Sequence, residues 1–301
     1  GNDRDTPLGR QAVRLAASCP AHPHRPATVL IHGEPSNGWL MLSKLFSRRA
    51  KIETAPPSVP DGECVYAIGD IHGRYDLLDG LLCRIEADEA ARGGRGRLIF
   101  LGDYVDRGPQ SAAVVERLIS LKNERPDTRF LQGNHEEVFL SALTGDLKAL
   151  RFFNRIGGAE TILSYGVRQD AYDQADFNDL SRLLRDAVPK SHRNFLSDLE
   201  DMVVVGDYVF VHAGIRPGVP LDEQRSSDLR WIREEFIRSV SPQEKVVVHG
   251  HTIEADVVDE PHRIGLDTGA YCYGTLTAMG FEGQERWLLQ QSAAEPVFSA
   301  A

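Results

Sequence analysis

Five short apolar runs in this chain each end in a loop that sets an acid, a histidine or an amide beside glycine. The loops are Gly69-Asp70-Ile71-His72-Gly73, Gly102-Asp103-Tyr104-Val105-Asp106-Arg107-Gly108, Gly133-Asn134-His135-Glu136, Val211-His212-Ala213-Gly214 and Gly250-His251-Thr252. Sites in α/β folds gather at the carboxyl ends of strands, where the chain turns and side chains can converge. The glycines let backbone pass close to a ligand with no Cβ in the way. One such fragment alone reads as turn punctuation, because Asp, Asn and Gly are ordinary turn residues. Five, each preceded by an apolar run, point to a common site.

The runs between these loops define the fold class. Cys64–Ile68, Arg97–Leu101 and Thr128–Leu131 read as strands, and Tyr75–Ala87 and Ala112–Lys122 as the helices between them. Leu77, Leu78, Leu81, Leu82 and Ile85 recur at helical spacing. Strand, loop and helix in alternation are the mark of an α/β protein. Residues 136–200 are polar and mostly helical in pattern. Strands return at Met202–Val205, Tyr208–His212, Val246–Val248, Ile264–Asp267 and Leu276–Phe281. The expected organisation is a catalytic domain over 61–291 with a helical insertion at about 140–200, followed by a tail over 292–301.

Residues 1–60 differ, with many prolines and little periodicity. They read as a flexible N-terminal extension with a short helix at 38–49, which contains Met41 as a candidate start. His22, His24 and His32 match the spacing of no rigid element.

Charge and cysteine content narrow the function. The 301 residues carry a formal net charge of -10, which argues against nucleic acid as the main partner. A small phosphorylated ligand remains compatible, because bound cations can reverse the local field of an acidic site. The cysteines Cys19, Cys64, Cys83 and Cys272 form no CxxC pair and read as reduced thiols of a cytoplasmic protein. No apolar run reaches the roughly 18 residues of a membrane helix, and no segment reads as a secretory signal.

The donors in the five loops are carboxylate, imidazole and amide oxygen, without thiolate. That set suits manganese, iron or zinc rather than an iron–sulfur cluster or a cysteine-type zinc site. One carboxylate can bridge two ions about 3.5–4 Å apart, an arrangement that activates water and clamps an in-line displacement.

The motifs GDIHG, GDYVDRG, GNHE, VHAG and GHT resemble those of the calcineurin-like metallophosphoesterase superfamily. More narrowly they are similar to the phosphoprotein phosphatases (PPP family), in the bacterial branch near lambda phage phosphatase. The resemblance spans about Glu63 to Gly283 and includes Gly157–Gly166, Arg230–Phe236 and Asp267–Ala270. It implies two mixed β-sheets packed together and flanked by helices. It also implies two divalent ions, manganese first and iron or zinc as alternatives. Asp70 and His72 would hold one ion, Asp103 would bridge, and Asn134, His212 and His251 would hold the other. A bridging hydroxide would attack phosphorus directly. His135, oriented by Asp106, would protonate the leaving oxygen, and Arg107 and Arg233 would grip the phosphate through their planar forks.

Several points stay open. His249 lies two residues from His251 and could share its face of a strand. Ile253 stands where relatives often have Pro, and Tyr271-Cys272-Tyr273-Gly274 carries one glycine where two are common, so Cys272 could line the site. The expected substrate is a phosphate monoester, phosphoserine or phosphothreonine in proteins or a small ester. The alternative is a dinucleoside polyphosphate such as diadenosine tetraphosphate, and Asp106 with Glu136 favours the former. A non-catalytic phosphate-binding relative would have lost a ligand, and none of the six is missing.

Overall fold

The computed structural model describes residues 55–293. The expected helix at 38–49, Met41, the histidines His22, His24 and His32, and Cys19 lie outside them, as do residues 294–301. The described body begins before residue 61. Val59 donates its N–H to the Gly283 carbonyl at 2.9 Å, and the Tyr208 hydroxyl donates to the Pro57 carbonyl at 3.2 Å.

The strands in chain order are β1 (Cys64–Ile68), β2 (Arg97–Phe100), β3 (Arg129–Phe130), β4 (Met202–Val205), β5 (Tyr208–Val211), β6 (Val246–His249), β7 (Val258–Asp259), β8 (Arg263–Gly265), β9 (Thr275–Glu282) and β10 (Glu285–Ser292). They form two mixed five-stranded sheets, ordered β10-β9-β1-β2-β3 and β4-β5-β6-β8-β7. In the first, β1, β2 and β3 run parallel while β9 and β10 run antiparallel to their neighbours. In the second, β5, β6 and β8 run parallel.

Each central strand is apolar on both faces because each face is covered. Side chains alternate across a strand, so Val65 and Ala67 of β1, with Ile99 of β2, meet Phe210, Val246 and Val248 in a core between the sheets. Tyr66, Ile68, Leu98 and Phe100 point the other way into the helices. Val209, Val211 and Val247 face outward against Leu229, Ile232 and Phe236. This is why the strands read as continuous apolar runs. Full burial of each large side chain contributes about 1.5–3 kcal/mol.

The helices are α1 (Tyr75–Arg92), α2 (Ser111–Glu124), α3 (Asn134–Leu143), α4 (Leu147–Phe153), α5 (Ala159–Ser164), α6 (Gln169–Gln174), α7 (Phe177–Ala187), α8 (Lys190–Ser197), α9 (Ser226–Trp231) and α10 (Glu234–Ile237). A π-helical turn at Asn154–Gly158 joins α4 to α5. Asp146 and Asp176 cap α4 and α7 by accepting two backbone N–H groups each, which satisfies donors a helix start leaves unpaired.

Several elements differ from the sequence expectation: β7, α9 and α10 lie outside it, β8 sits at Arg263–Gly265 rather than Ile264–Asp267, and α1 and β10 differ for a clear physical reason. Helix α1 runs past Ala87 to Arg92, because Glu89 is buried on Arg125 at 2.6 Å and Arg92 lies over the Trp287 ring. Apolar spacing ends at Ile85, so the last turn is held by charge and carries no hydrophobic signal. Strand β10 was not anticipated. It pairs along its whole length with β9, but its apolar residues do not alternate cleanly: Trp287 and Leu289 pack inward while Leu288 is 47% exposed. Among the described residues no helix is long and apolar enough to cross a membrane.

Candidate active site

The parallel strands of both sheets deliver their carboxyl ends to one place. Sheet one brings Asp70 and His72 after β1, Asp103 after β2, and Asn134 with His135 at the start of α3. Sheet two brings His212 after β5 and His251 after β6. All seven are at most 5% exposed, so their charges must be balanced inside the protein. Hydrogen bonds stitch the sheets together here. His212 Nδ1–H donates to the Leu101 carbonyl at 2.8 Å, and the His251 N–H donates to Asp70 Oδ2 at 3.0 Å.

The backbone is unusual where these residues sit. Among the described residues, positive φ occurs outside glycine only at His72, Asp103, Asp106, Arg107 and His251. Each such position costs on the order of 1–3 kcal/mol and persists only where surroundings enforce it. Gly133 and Gly250 permit the close approach. A Cβ on Gly133 would lie 2.1 Å from Asp103 Oδ1, and one on Gly250 would lie 2.0 Å from Asp70 Oδ1.

Two groups of potential ligand atoms share Asp103: His72, Asp103 and His135 on one side, and Asp103, His212 and His251 on the other. The tautomers follow from hydrogen bonding. His72 Nδ1–H donates to the Val105 carbonyl at 2.8 Å, which leaves Nε2 with a lone pair. His212 is set the same way, and its Nε2 lies 3.0 Å from Asn134 Oδ1, 3.2 Å from His251 Nδ1 and 3.4 Å from Asp103 Oδ1. Acceptor atoms crowded this closely, with His72 and His212 fixed through their other nitrogens and His251 Nε2 buried without a partner, form the donor set of a cation site.

The carboxylates support the same reading. Burial opposes ionisation of Asp103, but His212, His135, His72 and His251 hold its carboxyl below the usual range. Asp70 lies in neither group, yet its Oδ1 is buried without a hydrogen-bond partner. Burial, then the charges of Asp267 and Asp103, push Asp70 well up. Burial and Asp103 likewise push Asp267 up to about 6. Clustered buried carboxylates with an orphaned oxygen want a cation. Asp70, His72, Asp103, Asn134, His212 and His251 therefore fit a dinuclear metal site.

Around these donors lies a second layer. His135 Nδ1 meets Asp106 Oδ2 at 2.6 Å, which leaves Nε2 facing the site, 3.9 Å from Asp103 Oδ2. Burial disfavours the charged ring, but Asp103 and Asp106 outweigh it and raise its pKa. Arg107 donates to His72 Nε2 at 3.0 Å, its other terminal nitrogen lies 3.0 Å from His135 Nε2, and its guanidinium lies 4.6 Å from the Tyr271 ring centroid. Arg233 is exposed at the start of α10, close enough to His212 and His251 to lower their pKa values, though burial is the larger cause.

His249 faces away from the cluster. Its Nδ1–H donates to the Gly250 carbonyl at 2.9 Å and its ring packs edge-on against Phe236. Cys272 is half-buried in the loop beside Gly269. Sequence reading assigned no task to Glu136, Asp267 or Tyr271. Glu136 accepts the backbone N–H groups of Gly133, Asp103, Tyr104 and Val105 at 2.8–3.2 Å, tying two of the loops together. The signal for Asp267 was present, because Leu266-Asp267-Thr268-Gly269 repeats the pattern of strand, acid and glycine.

Comparison with known proteins agrees with this geometry. Residues 65–276 match the family model described as calcineurin-like phosphoesterase. A symmetrical bis(5'-nucleosyl)-tetraphosphatase of Methylococcus capsulatus is 34% identical over 51% of this chain and 44% of its own length. The chain thus spans less than half of that relative. The asymmetrical bis(5'-nucleosyl)-tetraphosphatase PrpE of Anoxybacillus flavithermus is 27% identical over 72% of this chain and 90% of its own. A crystal structure of "a putative diadenosine tetraphosphatase" shares the fold, with a TM-score of 0.55 and 21% identity over 80% of this chain and 100% of that one.

Proposed function

The chain belongs to the calcineurin-like phosphoesterase family, and within it we propose that it is a dinuclear-metal hydrolase of dinucleoside polyphosphates, cleaving a phosphoanhydride. The observation that carries this reading is the match to a bis(5'-nucleosyl)-tetraphosphatase over nine-tenths of that relative's length. The expectation of a monoester substrate becomes the second reading. It is favoured by the contact of 2.6 Å between His135 and Asp106, because an alkoxide leaving group needs a proton far more than a nucleotide phosphate does.

In both readings the same residues have the same tasks. Asp70 and His72 would hold one ion, Asn134, His212 and His251 the other, and Asp103, common to both groups of ligand atoms, would serve both. Two divalent ions there supply Lewis acidity, which activates water and offsets charge on the phosphoryl group. Arg107 presents its guanidinium to the phosphoryl oxygens from a fixed position, while Arg233 closes on them from the rim. His135 gives its Nε2 proton to the leaving oxygen, and Asp106 holds the ring so that Nε2 faces inward.

The test is a set of kcat/KM values for protein loaded separately with manganese, iron and zinc. The substrates are diadenosine tetraphosphate, a phosphoserine peptide and p-nitrophenyl phosphate. We expect the tetraphosphate to be turned over at least about tenfold more efficiently than the peptide, the equivalent of about 1.4 kcal/mol in the barrier. The opposite order would leave the monoester reading standing in its place.

A further inference from the structure

Asp106 has a second partner on the side away from His135. The Thr161 hydroxyl donates to Asp106 Oδ1 at 2.7 Å and accepts the Asp106 backbone N–H at 2.8 Å. Ser111 Oγ lies 2.9 Å from Thr161 Oγ1 and 3.1 Å from the same N–H. Counting protons fixes the directions. The Thr161 proton goes to the carboxylate, so Ser111 must donate its own proton to Thr161. Asp106, Thr161 and Ser111 are each fully buried, and no water is needed to complete the network.

The backbone places Thr161 there deliberately. It lies in α5, just after the π-helical turn whose Gly157 carbonyl accepts the Arg107 N–H at 2.9 Å. Ser164 Oγ, one turn on, accepts the Ala112 N–H at 3.1 Å and ties α5 to the start of α2. The short segment 157–164 therefore grips both Asp106 and Arg107, each of which sits at positive φ.

We infer that Thr161, backed by Ser111, is a positioning residue for the His135–Asp106 pair: it locks the Asp106 carboxylate in the rotamer that turns Oδ2 toward His135. A carboxylate with one oxygen unheld can rotate about its Cβ–Cγ bond, and the imidazole would follow. With Oδ1 held by Thr161 and the N–H of the same residue held as well, rotation is blocked. This inference rests on His135 acting as the proton donor, as proposed above, but not on which phosphate compound is the substrate.

The test compares T161V, T161S, S111A and H135A in metal-loaded enzyme on alkyl and aryl phosphates of graded leaving-group pKa. T161V should lose about tenfold to a hundredfold in kcat on alkyl phosphates, with p-nitrophenyl phosphate falling less than about threefold and KM moving less than about twofold. T161S keeps the hydroxyl and should restore activity, and S111A should show a smaller loss in the same direction. In the zinc-loaded protein, the downfield proton resonance of His135 Nδ1–H should shift or broaden in T161V and return in T161S. Equal losses on every leaving group, or an unmoved resonance in T161V, overturn the positioning role. If H135A itself shows no steeper dependence on leaving group, the proton-donor reading falls too, a result distinguishable from failure at Thr161 alone. Should T161V not fold, S111A and T161S carry the same comparison.

Discussion

Asp70 Oδ2 accepts the backbone N–H of His251 at 3.0 Å, across the boundary between the two sheets. The two residues are 181 positions apart, and neither has a complete environment without the other. The proposed metal centre is thus a product of sheet stacking rather than of either sheet.

Asp103 is the residue shared by both groups of potential ligand atoms. Asp103→Asn keeps the volume but removes the shared charge, so both ions should be lost. Metal content after gel filtration, measured by mass spectrometry, should fall from two per chain toward zero. Retention of both ions in this variant would contradict the bridging role.

The two arginines should separate in their effects. Arg107 is half-buried, with its backbone N–H on the Gly157 carbonyl at 2.9 Å and its guanidinium beside the Tyr271 ring, whereas exposed Arg233 must give up side-chain freedom on binding. Arg107→Ala should lower kcat/KM about 100-fold, the scale of a charge-assisted hydrogen bond lost in full. Arg233→Ala should cost about tenfold and appear mainly as a higher KM. Steady-state kinetics decide the matter, and equal losses would mean that Arg107 is not prepositioned.

Glu136 carries structural weight out of proportion to its place in a motif. Four backbone N–H groups converge on it, and Glu136→Ala leaves them unpaired in a buried loop. The expected cost is about 3 kcal/mol or more, lowering Tm by about 6–12 °C for a domain of this size. Calorimetry checks this, and a loss below about 1 kcal/mol would show that water replaces the carboxylate.

His249 makes acid stability testable. Burial, with Arg263 adding to it, pushes this imidazole down to about 4 in the folded protein, although the Gly250 carbonyl works the other way. A histidine in the unfolded chain titrates near 6.5 (about that value for a free imidazole). Above that pH neither state is protonated and His249 has no effect on stability. As pH falls from 6.5 toward 4, the unfolded chain takes the proton first and stability is lost. Each pH unit costs about 1.4 kcal/mol, so His249→Gln should lose about 2 kcal/mol less than the wild type between pH 6.5 and 5. Urea unfolding at both pH values measures the difference, and parallel losses would place the acid sensitivity elsewhere.

Much of the fold was legible because its signals are local. The apolar runs of β1, β2, β5 and β6 stand out since both faces of each strand are covered. Strand β10 gave no such signal because one of its faces meets solvent while carrying Leu288. The last turn of α1 was invisible for a related reason. Its burial is a salt bridge between Glu89 and Arg125, and Glu89 in isolation looks like any surface acid.

The site divides along the same line. The chain by itself determined which chemical groups stand at strand ends, because motif spacing and glycine placement are properties of a few adjacent residues. It could not determine which nitrogen of each histidine is free, since that depends on the carbonyls of Leu101 and Val105. Nor could it distinguish His251 from His249 by spacing, because only the packed structure turns one toward Asp103 and the other onto Phe236. Thr161 is the clearest case. Its hydroxyl reaches Asp106 across 55 positions, and no local pattern marks a threonine for that task. Residue type and period are written along the chain; the meeting of His212 and His251 with Asp70 and Asp103 exists only once the two sheets stack and bury their common core.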